Sequence, residues 1–138
     1  MSRVSADIDV QLAAAGQTPV PLRARLSYTP TDPLAVRAEF FHRTVRLACW
    51  HFDRQTLTEG LHRPAGGGDA FFRPVTTAAH GRTVRMELHG RNTHGPAKAV
   101  FLADAPSLDR FLERTRALVP PGTEDVDVDA LLDALLAG

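Results

Sequence analysis

Residues 107–119 read SLDRFLERTRALV. Leu108, Phe111, Leu112, Thr115, Leu118 and Val119 recur at the three- and four-residue spacings that line one face of an α-helix. Asp104 or Ser107 supplies the N-cap. Pro120, Pro121 and Gly122 stop the helix, because proline has no N–H to continue the ladder and glycine permits the turn. This stretch decides the fold, because the residues before it alternate like strands and those after it return to helix. Strands followed by helices are the pattern of an α+β domain with its helices on one side of antiparallel sheet.

Upstream, VPLRARLSY (20–28) alternates Val20, Leu22, Ala24, Leu26 and Tyr28 with polar neighbours, the period of a half-buried strand. The prolines and aspartate of TPTDP mark a turn. In LAVRAEFFH (34–42), Val36, Ala38 and Phe40 face one way and Arg37 and Glu39 the other. TVRLACWHF (44–52) is apolar on both faces, which predicts a central strand, or one covered by a second layer or a partner, with Cys49 in the core. DAFFRPV, TVRMELHG (with Val84, Met86 and Leu88 inward) and AKAVFLAD read as three further strands. AAHGR is a hairpin turn and RNTHGP a looser connection. About seven strands, in antiparallel sheets with two C-terminal helices packed to one side, are expected, as one domain over residues 1–138.

Between the strands, Asp53 caps a short helix in which Leu57 and Leu61 stand four apart, Gly60 weakens it and Pro64 closes it. The glycines Gly66–Gly68 then turn the chain into the next strand. A phosphate loop needs a strand before it, then GxxxxGK[ST] and a helix. Here the order is helix then strand, no lysine follows, and Asp69 would repel phosphate. At the other end, Leu131, Leu132, Leu135 and Leu136 share one side of a final helix, capped by Asp127 or Asp129, and are expected to cover a sheet.

The chain has 138 residues and a formal net charge of zero. Residues 1–100 hold 13 Lys+Arg against 8 Asp+Glu, and residues 101–138 hold 3 against 8, so a mildly basic body carries an acidic end. That is far from the strongly basic balance of a nucleic-acid-binding domain. Asp7 and Asp9 interrupt the apolar N-terminal stretch, so it does not read as a signal peptide. The single cysteine makes no internal disulfide and fits a reducing cytoplasm. The six histidines form no HExxH and no zinc-finger spacing, and GxSxG is missing. No cofactor, metal or catalytic set is therefore expected. Phe41, Arg43 and Arg46, with Phe71, Phe72 and Arg73, are the aromatic–basic sets that a single-strand nucleic-acid binder would use on a sheet surface.

Four stretches, in order, carry a resemblance. RFLERTRALVPPGTE (110–124), LSYTPTDPLAVRAEF (26–40), WHFDRQTLTEGLHRPAGGGD (50–69) and DVDVDALLDALL (125–136) resemble the SsgA-like sporulation and cell-division proteins of actinobacteria. The likeness spans about residues 20–136. It departs from the family pattern at Arg73, where a tryptophan is usual before the proline, in the longer ELHGRNTHGPAKAV hairpin, and in EFFHRTVRLAC, which replaces a more acidic connection. The resemblance implies a non-enzymatic regulator of sporulation-specific division. Its fold would be Whirly-like, two antiparallel sheets packed with C-terminal helices, and its assembly a homotrimer. Its partners would be division or cell-wall proteins such as FtsZ or an SsgA-like paralogue, at division septa. Whirly-like folds also bind single-stranded nucleic acid, which is the alternative.

Gly60, Leu61, Phe111, Leu112, Leu118, Pro120, Pro121 and Gly122 are expected to be structural. Partner contact is expected at Arg63, Pro64, Gly66 and Asp69 in the glycine turn, and at Arg91 and His94 in the hairpin, because loops on a rigid scaffold carry recognition. Trp50 is expected either to anchor a subunit interface or to fill core.

Overall fold

The computed structural model describes residues 2–14, 16–124 and 128–137. The strands are β1 (Val4–Ala13), β2 (Val20–Thr29), β3 (Asp32–His42), β4 (Val45–Asp53), β5 (Ala65–Gly67), β6 (Ala70–Thr77), β7 (Gly81–Asn92) and β8 (Gly95–Asp104). The helices are α1 (Arg54–Gly60), α2 (Ala105–Leu118) and α3 (Val128–Leu136). All eight strands form one antiparallel sheet in the order β4-β3-β2-β1-β8-β7-β6-β5, which corrects the expectation of two sheets.

The joining strand is β1, which the strand pattern above leaves out. Its inward side chains Val4, Ile8 and Val10 are buried, and Asp7 and Asp9 stand outward opposite Arg25 and Arg23 of β2. Asp7 Oδ1 lies 3.1 Å from Arg25 Nε, an exposed pair of the kind that favours a register more than it stabilises. All of Val4–Leu12 pairs with β2, but only Val10–Ala13 pairs with β8. The sheet therefore opens along the first half of β1. There Arg114 of α2 donates from Nη1 to the Ser5 carbonyl at 3.2 Å.

The sheet curls until the inner faces of its halves meet. Phe40 of β3 stacks on Phe101 of β8 with centroids 4.4 Å apart, and Phe52 of β4 meets Phe72 of β6 edge-on at 5.1 Å. These rings, with Leu26, Val36, Met86 and Leu88, make the core. Asp53 caps α1, accepting from Thr56 N at 2.9 Å, and Asp104 caps α2, accepting from Ser107 N at 3.1 Å. Leu57, Leu61, Leu108, Phe111 and Leu112 are buried as their spacing predicts, and Leu118 is half-buried. Gly60 is the last residue of α1, and a Cβ there would clash with the Phe72 Cβ, so the close approach of helix and sheet at this point needs a residue with no side chain.

Arg54, at the start of α1, is 2% exposed. Its Nη1 donates to the carbonyls of Thr115 (3.0 Å) and Val119 (2.8 Å), so it closes the C-terminal end of α2. Its Nη2 lies 3.0 Å from Glu124 Oε2, and its guanidinium stands 4.9 Å over the Tyr28 ring. The turn at Pro120, Pro121 and Gly122 lies between the Val119 carbonyl and the Glu124 carboxylate that Arg54 holds, with Gly122 at φ 85°.

Three further expectations change. β4 is an edge strand, because the β3–β4 hairpin places it at the end of the order. Its inward residues Trp50 and Phe52 reach the core, while Cys49 is exposed and Val45 (61%) and Leu47 (53%) are open to solvent. The β7–β8 connection is a tight hairpin through Thr93 and His94, with strand up to Asn92. In α3, Leu132 (47%), Leu135 (77%) and Leu136 (84%) are exposed and cover no sheet of this chain. Asp127 lies outside the described residues, and Asp129 sits in the first turn of α3.

Two outcomes follow from this packing. Phe111→Ala should lose about 3–5 kcal/mol of unfolding free energy in urea titration, with an unchanged midpoint counting against its place in the core. The Arg54 guanidinium, then the backbone N–H groups of Glu124 and Gly122, hold the Glu124 carboxylate below its ordinary 4.5. Because the folded value is depressed, its stabilisation is present above the unfolded value and lost as pH falls through the folded one. Glu124→Gln should therefore show a shallower fall in stability between about pH 5 and pH 2 than the parent; parallel curves would contradict the pairing.

Candidate functional site

The curled sheet leaves two edges, β4 and β5, with α1 in contact with both. β5 is part of the glycine stretch itself: Ala65, Gly66 and Gly67 pair with Phe72, Phe71 and Ala70, and the chain turns at Gly68 and Asp69. Gly66 has φ 153°, and a Cβ there would meet the Ala70 carbonyl oxygen at 2.6 Å. The turn expected here is therefore a three-residue strand plus a tight turn, possible because glycine occupies the close approach.

A cleft lies on each side of β5. One, of about 380 Å³, is lined from both sheet edges by Trp50, His51 and Asp53 and by Gly66, Gly67 and Asp69. The other, of about 420 Å³, is lined by Pro64, Gly66, Phe71, Arg73, Arg85 and Glu87. Four of the predicted contact residues (Trp50, Pro64, Gly66 and Asp69) thus converge although Trp50 comes from the opposite end of the sheet. Trp50 is half-buried and stacks toward Phe52 at 6.3 Å. Arg63 is exposed beside them and lies 3.6 Å from Glu59 one helical turn back. Arg91 and His94 do not join the group. They sit at the β7–β8 hairpin tip, beyond Leu88, the last β7 residue paired to β6. There His94 N donates to Asn92 Oδ1 at 2.8 Å.

The second cleft contains residues that motif reading missed. Arg73 and Arg85 stand directly opposite each other on β6 and β7, and Phe71 opposite Glu87. Glu87 Oε1 lies 3.4 Å from Arg85 Nη2 and 3.5 Å from Lys98 Nζ, and Oε2 lies 3.2 Å from His89 Nε2. The His89 hydrogen bond, with the Lys98 and Arg85 charges, holds the Glu87 carboxyl below its usual range. Outward positions two apart, Phe71/Arg73 and Arg85/Glu87, were readable; their pairing across strands was not.

The aromatic–basic sets separate. Phe72 is buried, and Phe41 lies under the guanidinium groups of Arg23 and Arg25 at 5.6 and 5.4 Å. Phe71 is 41% exposed and meets His89 edge-on at 5.6 Å. Among the described residues no helix is long and apolar enough to cross a membrane.

Comparison with known proteins places these features in a family context. The family model described as "Streptomyces sporulation and cell division protein, SsgA" matches residues 22–124. The sporulation-specific cell division protein SsgB of Streptomyces coelicolor is 38% identical over 136 residues, covering 97% of this chain and 96% of that one. The protein of the same name from Saccharopolyspora erythraea is 40% identical over 125 residues, covering 88% and 84%. The crystal structure of an SsgA-like sporulation-specific cell division protein from Thermobifida fusca superposes with a TM-score of 0.81 at 34% identity, covering 96% and 95%.

Gly66→Ala should destabilise the fold by about 1–3 kcal/mol, since it adds both a strained φ and a backbone clash. Amide exchange at Phe71 should rise with it; protection equal to the parent's would mean that β5 does not depend on the glycine.

Proposed function

The chain belongs to the SsgA family of sporulation and cell division proteins, and from that membership we propose that it is a non-catalytic adaptor in sporulation-specific division. It guides septum-site selection or wall remodelling through protein contacts at division septa. FtsZ, or an SsgA-like paralogue that positions FtsZ, is the partner in this reading. The observation that carries it is the pair of clefts flanking β5, which gather Trp50, Pro64, Gly66 and Asp69 on a rigid scaffold. The relatives matching nearly the whole chain bear the name of sporulation-specific cell division proteins.

Self-association, as a homotrimer, belongs to the same reading. An edge strand with Val45 and Leu47 exposed, and a helix with Leu135 and Leu136 exposed, are surfaces that isolated chains rarely leave open. A further copy of the chain supplies both the apolar cover and the strand pairing that β4 lacks.

The purified chain should scatter light as a trimer at micromolar concentration and co-sediment with FtsZ polymers. Trp50→Ala and Asp69→Arg should weaken co-sedimentation while leaving the fold intact. A stable monomer would remove the assembly, and the parent chain remaining in the supernatant would remove direct FtsZ contact.

A further inference from the structure

We propose that the outer groove beside β5 is a binding site for an acidic, extended peptide segment of a partner protein, with Arg73 and Arg85 as its carboxylate clamp and Phe71 as its apolar floor. This deepens the adaptor reading, on which it rests, by naming the partner's chemistry.

The argument begins with charge. Side chains directly opposite on an antiparallel pair have Cβ atoms about 4.5–5.5 Å apart, and like charges there are destabilising. Arg73 and Arg85 occupy such a pair. Glu87 does not relieve it, because that carboxylate already serves Arg85, Lys98 and His89. Arg73 has no acidic partner within 4 Å among the described residues. The groove thus holds a surplus of cationic donors whose planar forks suit a carboxylate.

Beside this surplus is an exposed Phe71, with the short edge strand β5 along one wall of the groove. An extended peptide lying along the groove answers both features: apolar side chain to Phe71 and carboxylate to the arginines. The groove volume, about 420 Å³, is within the range of ligand clefts. Nucleic acid fits less well. Glu87 would face its phosphates, and of the aromatic residues flanking Arg43, Arg46 and Arg73, only Phe71 has an open face.

The test is fluorescence anisotropy with a labelled octapeptide alternating leucine and aspartate, against its leucine–asparagine counterpart and a labelled oligothymidylate. The full chain should bind the aspartate peptide saturably and the asparagine peptide at least about tenfold more weakly. Arg73→Gln should weaken binding about tenfold without lowering the melting temperature, and Arg73→Gln/Arg85→Gln further. Arg110→Gln, on the exposed side of α2, should bind as the parent does. Absent peptide binding by the parent, or undiminished binding by Arg73→Gln, overturns the groove. Tighter oligothymidylate binding, lost in the same variants, overturns it in favour of nucleic acid. Co-sedimentation with FtsZ is unaffected by a failed peptide assay, so the adaptor reading is judged separately.

Discussion

The Arg54 guanidinium is the junction on which the arrangement of the chain depends. Taking an arginine out of water is costly unless its donors find partners and its charge a counter-charge. Arg54 finds the Thr115 and Val119 carbonyls, the Glu124 carboxylate and the Tyr28 ring. The carbonyls are among those an α-helix leaves without partners at its C-terminus, so one side chain completes α2 and fixes where the chain goes after it. The VPPGTE stretch and the helix opening after Asp53, distant in sequence, are thus two halves of one contact. α1 leads from Arg54 through residues 61–64 into β5, so this contact ties the strand between the two clefts to the end of α2.

Curling of the sheet is the second constraint. β1 couples β2 to β8 along only part of its length, so the sheet is continuous yet open at one seam, which α2 fills. The stacking of Phe40 on Phe101 and of Phe52 on Phe72 brings strands from opposite ends together. Trp50 and Asp69 line the same cleft as a consequence, with no local sequence relationship between them.

This division explains what the sequence revealed. Helical periodicity and caps are local, so α2, its Asp104 cap and its stop at Pro120 were legible, as were the inward faces of β2, β3 and β7. Pairing is not local. The alternation of Val4, Ala6, Ile8, Val10 and Leu12 is present in the sequence, but Asp7 and Asp9 within it speak by themselves only against a leader segment. Their partners on β2 are visible only once the register is known. The resemblance supplies two sheets, and without β1 nothing in the strand pattern joins them. In β4, apolar residues on both faces suggested a central strand; the strand is at the edge, and its outer apolar residues await a cover. The glycine turn stands out in the sequence as a candidate loop, whereas Arg85 does not, since a lone outward arginine on a strand has no signature until Arg73 is found opposite it.

The account's central claim is that Arg54 locks the path from α1 into β5 to the end of α2. Hydrogen-exchange mass spectrometry on Arg54→Met tests it most directly. The account predicts that protection falls together in residues 54–70 and 112–124 while β1, β2 and β3 keep theirs. Unchanged protection in 61–70, with loss confined to 112–124, would contradict it.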